Sequence, residues 1–157
     1  MEKIENTENQ LEVTWIRPDL DRERGEIERV LKEFLGQEPN EENIRNFEIA
    51  VNNTTKVELS DEQWESLENT DSFHNVRPGH LEDVTNILDA SNQELSPKNR
   101  RDLKKHLGRF IGNTPIEAPI IVKNKDGKLH LVSGNTRLMV CRLLGIRPKV
   151  IIAEFNC

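Results

Sequence analysis

LHLVSGNTRLMVCRLLGIRPKVIIAEF, residues 129–155, is the stretch on which the reading of this chain turns. An apolar, strand-like run ends at Ser133-Gly134-Asn135-Thr136-Arg137, and an apolar helix-like run comes next and stops at Gly145. The first N–H groups of a helix lack internal acceptors, and the helix dipole places partial positive charge at that end. Gly134 lets the backbone approach a ligand, Ser133, Asn135 and Thr136 add donors, and Arg137 adds a planar fork suited to phosphate oxygens. Two readings are open. Either Asn135 or Thr136 caps the helix while Arg137 lies in solvent, or the break is a cradle for an anion.

The surroundings define an α+β chain. APIIVK (118–123) is a β-branched strand, NKDG is a hairpin turn, LHLVS is a second strand and RPKVIIAEF supplies a third. Helices come before them. Ile27, Val30, Leu31, Phe34 and Leu35 form an i, i+3, i+4 stripe that Asp19 or Asp21 caps and Gly36 stops. A second helix starts after Asn40, with Ile44, Phe47 and Val51 inward. A third opens on a Ser60–Gln63 capping box and buries Trp64 and Leu67. Leu81, Val84, Ile87 and Leu88 share a face. In SPKNRRDLKKHLGRFI, Ser96 and Pro97 read as N-cap and first helical residue, with Lys98, Arg100, Arg101, Lys104 and Lys105 forming a basic face. The expected architecture is a small mixed β-sheet with flanking helices, preceded by an acidic helical N-terminal lobe. The turn-rich segment near residue 70 divides it into a lobe at 1–70 and a domain at 71–157.

Composition narrows the function classes. The chain has 157 residues, a net charge of −6 and two cysteines, Cys141 and Cys157. No apolar run is long enough to span a membrane, and the acidic start lacks a signal-peptide core, so no membrane partner and a cytoplasmic location are expected. Two cysteines make no disulfide framework. His74, His80, His106 and His130 lack ligand spacing, so no metal site is expected. Residues 1–96 carry 9 Lys/Arg against 24 Asp/Glu, whereas residues 97–157 carry 13 against 4. This asymmetry points the C-terminal part toward something anionic and leaves the whole chain unlike a general DNA binder.

The span from Ala118 to Ile152 resembles the superfamily shared by ParB partition proteins, sulfiredoxins and free-serine kinases. The matching pieces are Pro119-Ile120-Ile121-Val122, Gly134-Asn135-Thr136-Arg137, Leu144-Gly145 and Pro148-Lys149-Val150, within residues 97–155. The resemblance implies a nucleotide site, with Ser133, Gly134, Asn135, Thr136 and Arg137 around the phosphates of ATP or another NTP carrying Mg²⁺. It departs from each branch. Asn135 and Thr136 stand where sulfiredoxins have their catalytic cysteine, so sulfinic-acid reduction is not expected. The chain stops at Cys157 without the helix-turn-helix segment of partition proteins, and Ser133 replaces the acidic residue of free-serine kinases.

The resemblance thus implies an Mg²⁺-dependent phosphotransferase, kinase or NTPase, acting on a substrate that includes nucleotides or nucleic-acid ends. The alternative is a DNA-associated ParB-like binding or nuclease module that uses the basic helix. Arg77 is the expected second cationic contact, and His130, alternating with Leu129 and Leu131, is a site-lining candidate. Glu117, Asp102, Asp71 and Glu82 are the carboxylates available for metal or proton work, each also readable as a solvated surface acid.

Overall fold

The computed structural model describes residues 13–67, 76–94, 102–112 and 114–154. The chain order is β1 (Trp15–Ile16), α1 (Arg24–Leu35), α2 (Glu41–Asn52), β2 (Val57–Glu58), α3 (Asp61–Ser66) and α4 (Leu81–Asn92). It continues with α5 (Leu103–Ile111), β3 (Ile116–Glu117), β4 (Ile120–Lys123), β5 (Leu129–Ser133), α6 (Asn135–Leu144) and β6 (Lys149–Glu154). The expected α+β class with flanking helices is what forms.

The main sheet has strand order β2-β6-β4-β5. β4 and β5 make the expected antiparallel hairpin, with Val122 opposite His130. Its turn is held by the Asn124 side chain, which accepts from the Asp126 and Lys128 amides, while Gly127 takes φ 84°. β6 runs parallel to β4, with Ile121 beside Ile152, and β2 pairs antiparallel to β6. A second, two-stranded parallel sheet joins β1 to β3.

Strand alternation gives the sheet two covered faces. Ile120, Val122, Val132, Ile151 and Ala153 pack with Ile27, Val30 and Leu31 of α1 and Ile44, Phe47 and Val51 of α2. Ile121, Leu129 and Val150 pack with Trp64, Val84, Leu88, Phe110 and the buried side chains of α6. Leu138, Met139, Val140 and Cys141 have no solvent exposure. Each large apolar side chain buried this fully contributes about 1.5–3 kcal/mol before entropy is counted.

This layering crosses residue 70, where the sequence suggests a boundary. The described part of the acidic N-terminal segment is one layer of the main domain, because α1 and α2 cover one sheet face and β2 is a strand of that sheet. The apolar stripes of these helices have no separate core to enter.

Local capping is mostly as the sequence dictates. Ser60 and Gln63 form their capping box, and Gly36 and Gly145 end α1 and α6 in the left-handed conformation. Two starts differ. α1 begins after Glu23, while the Asp19 carboxylate holds the Asp21 and Arg22 amides in the preceding turn. α5 begins after Asp102, whose carboxylate accepts from the Lys104 and Lys105 amides. Asp102 is extended there, so no continuous helix runs from residue 97, and Ser96 and Pro97 lie outside the described residues. Leu81, expected inward, is 48% exposed at the first position of α4.

Candidate anion site

β5 carries the chain to Gly134, which takes φ 109° and ψ 17° and serves as the N-cap of α6. A side chain here would be strained, and its Cβ would lie 2.7 Å from the Pro119 Cβ. Only glycine fits a turn this tight against Pro119. The N-cap is Gly134, which has no side chain to offer, and Asn135 and Thr136 are the first two residues of the helix itself. Immediately before the turn, Ser133 is 5% exposed, and its buried hydroxyl has no hydrogen-bond partner among the described residues. Thr136 is also buried and Asn135 is half-buried. An unsatisfied buried hydroxyl costs about 1–3 kcal/mol, so its presence beside a helix N-terminus needs a reason.

Arg137, in the first turn of α6, is not a solvated side chain. Its guanidinium is 12% exposed, donates from Nη1 to the Glu117 carbonyl at 2.6 Å, and lies 3.4 Å from Glu23 Oε1 through Nη2. The small β1–β3 sheet builds this arrangement. It sets Ile16 beside Glu117, so the turn after β1 passes over the Glu117 side chain. The Glu117 carboxylate accepts from the Asp19 amide at 2.9 Å and pairs closely with Arg22. Glu117 is therefore buried rather than the surface acid that its sequence neighbourhood allows.

The charges of this cluster act on one another. Burial pulls Arg137 below its ordinary value; Glu23 and Glu117 oppose that, and Arg109 and Arg22 reinforce it. Burial pushes the Glu23 carboxyl up against the pull of Arg137. Burial also works to raise Glu117, but the Asp19 amide, Arg22 and Arg137 outweigh it and hold its carboxyl below the ordinary range. Arg22, Arg137 and, more distantly, Arg109 thus interact with Glu23 and Glu117, with Asp19 and Glu26 also acting on the group.

Other expected contributors lie elsewhere. Arg77 is at the opposite end of α6, where the Gly79 amide donates to the Leu143 carbonyl and Arg142 donates to the Val76 carbonyl. A ten-residue helix spans about 15 Å, which removes Arg77 from the site. Its guanidinium forks onto Asp83 instead, holding that carboxyl down at about 2. His130 projects to the other sheet face and stacks edge-on against Phe34 in the last turn of α1, about 16 Å of helix away from Glu23. Lys104 and Lys105 are exposed on α5, and Lys98, Arg100 and Arg101 lie outside the described residues. Of the remaining carboxylates, Asp102 is a helix cap, Glu82 pairs with His80, and Asp71 lies outside the described residues. Among the described residues no group of three or more His, Cys, Asp or Glu side chains is placed to hold a metal ion, and no helix is long and apolar enough to cross a membrane. Cys141 is fully buried, which pushes its thiol well above the ordinary range and leaves it inert.

Arg22, Glu23 and Arg109 are members of the cluster that sequence reasoning did not single out. They sit in charge runs that look solvated, and only the β1–β3 pairing and the α5–α6 contact bring them together. Comparison of the chain with family models, with curated proteins and with solved structures returned no match.

Proposed function

We propose that this protein binds a nucleoside triphosphate through its phosphates, at the N-terminus of α6, and that it is an Mg²⁺-dependent phosphotransferase or NTPase of the ParB/sulfiredoxin-like kind. The observation that carries this reading is the glycine-headed start of α6, with the Ser133 hydroxyl, unpartnered among the described residues, immediately before it and Arg137 in its first turn. Backbone amides at such a helix end hold anionic oxygens, and a guanidinium fork adds bidentate contacts. The glycine that permits close approach and the spare buried hydroxyl fit a phosphate group. The nucleotide's Mg²⁺, held by its own phosphates, would supply charge neutralisation during transfer. On this reading Gly134 and the first amides of α6 orient the phosphates, Arg137 supplies charge stabilisation, and the Ser133 hydroxyl donates to an oxygen.

Calorimetric titration with ATP, CTP and GTP in the presence of Mg²⁺ tests the reading. At least one should bind, and Arg137→Lys, which keeps a charge and loses the fork, should weaken that binding at least about tenfold. Absence of binding by all three at millimolar concentration, or unchanged affinity in the variant, defeats it.

A further inference from the structure

Arg137, the cation of the proposed cradle, is already engaged by an anion belonging to the chain. Glu23 occupies the N-cap position of α1, where an acidic side chain ordinarily accepts from the first amides of its own helix. It makes no such bond. Instead it is drawn 114 positions along the sequence to Arg137, and both side chains are nearly enclosed, at 15% and 12% exposure. Glu117 does not need this contact, since its carboxylate is satisfied by Arg22 and the Asp19 amide and meets Arg137 only through its carbonyl. The Glu117 carbonyl bond leaves part of the five-donor fork for other oxygens, and Glu23 takes one of those donors.

We propose that Glu23 is a built-in competitor for the ligand: its carboxylate stands on Arg137 in the empty protein, and a phosphate-bearing ligand must displace it to gain the guanidinium. This rests on the reading of the α6 N-terminus as an anion cradle and adds a latch to it. Two anions cannot share one enclosed face of a guanidinium without repulsion, so the pairing and the ligand exclude each other. The apparent affinity is then reduced by the fraction of molecules in which Arg137 is released. A latch of this kind discriminates by charge. A weak monoanion does not repay the lost pairing, whereas a polyphosphate with several oxygens on the amides and the fork does.

Calorimetric titration of the 157-residue chain with inorganic tripolyphosphate, on the wild type, Glu23→Gln and Glu23→Asp, tests the latch. Glutamine keeps the side-chain volume and removes the charge; aspartate keeps the charge and withdraws it by one methylene. The expected result is binding tightened by at least about fivefold in Glu23→Gln, the population gain when a mostly closed site opens, with Glu23→Asp in between. Equal affinity in all three proteins overturns the latch and leaves the cradle standing. Weaker binding in Glu23→Gln also overturns it and makes Glu23 a positioning residue for Arg137. Absence of binding in every protein removes the cradle and the latch together. Thermal melts of the variants run alongside, so that a loss of fold is distinguished from a loss of affinity.

Discussion

Arg137 and Glu117 are hydrogen-bonded through the backbone rather than through the carboxylate: Nη1 of Arg137 donates to the Glu117 carbonyl at 2.6 Å, while the Glu117 carboxylate bonds to Arg22 and the Asp19 amide. One residue thereby fixes the direction of the site arginine and anchors the turn before α1. The charge of Arg137 stays available to Glu23 or to a ligand. That division of labour gives the two neighbouring carboxylates opposite energetic signs.

The first prediction concerns those signs. Glu117 lies below its ordinary value of about 4.5, so its stabilising contribution is present above that pH and is lost as pH falls through its lower folded value. Glu23 lies above the same value, so its contribution is present below about pH 4.5 and is lost as pH rises through its raised folded value. In urea unfolding, Glu117→Gln should be less stable than wild type at pH 7, by about 1–2 kcal/mol, with the difference disappearing in acid. Glu23→Gln should show the opposite slope, its stability relative to wild type rising from acid toward neutral pH. Parallel pH profiles for the two variants would contradict the assignment of the cluster.

A second prediction concerns Gly134. Alanine there meets Pro119 at 2.7 Å and is held at φ 109°. Gly134→Ala should lose about 2–3 kcal/mol of stability and most of its anion affinity. Gly127→Ala in the hairpin, where no neighbour crowds the added Cβ, should cost only the left-handed backbone penalty of about 1–2 kcal/mol and leave binding intact. Equal effects at the two glycines would count against a close approach at Pro119.

A third concerns Ser133. Removing a buried hydroxyl that lacks a partner relieves a desolvation cost, so Ser133→Ala should gain about 1 kcal/mol of stability. It should also bind tripolyphosphate more weakly. A variant that is more stable and still binds as wild type would make the hydroxyl a packing accident.

Arg77 supplies the control. Arg77→Ala should let the Asp83 carboxyl rise from about 2 toward its ordinary value, as followed by carboxyl NMR shifts. Anion binding at the other end of α6 should be unchanged. A loss of binding would return Arg77 to the site.

The periodic elements are legible in the sequence because their burial reflects local repeat. The stripe Ile27–Leu31, the hairpin turn at Asn124–Gly127 and the apolar run from Leu138 to Leu143 each announce the face they bury. The glycine-headed start of α6 is legible for the same reason, since its signal lies within five consecutive residues. The other half of the site is not. Glu23 and Arg137 are 114 positions apart and Asp19 and Glu117 are 98 apart, joined by a parallel pairing of only two residues per strand. Strands that short carry no periodicity, and charged residues beside them read as solvated until the pairing is known. Arg77 and His130 lie away from the start of α6 for a geometric reason: a loop arginine far upstream carries no sign of which end of α6 it meets, and strand alternation alone does not say which sheet face His130 takes.

Amide NMR during titration with tripolyphosphate, and then with ATP and Mg²⁺, tests most directly whether the start of α6 is an anion cradle. Saturable shifts should be largest at the backbone amides of Gly134, Asn135, Thr136 and Arg137 and at the Arg137 side chain, with little change at Arg77 or His130. Shifts confined to exposed Lys104 and Lys105, or none at millimolar ligand, would contradict the account.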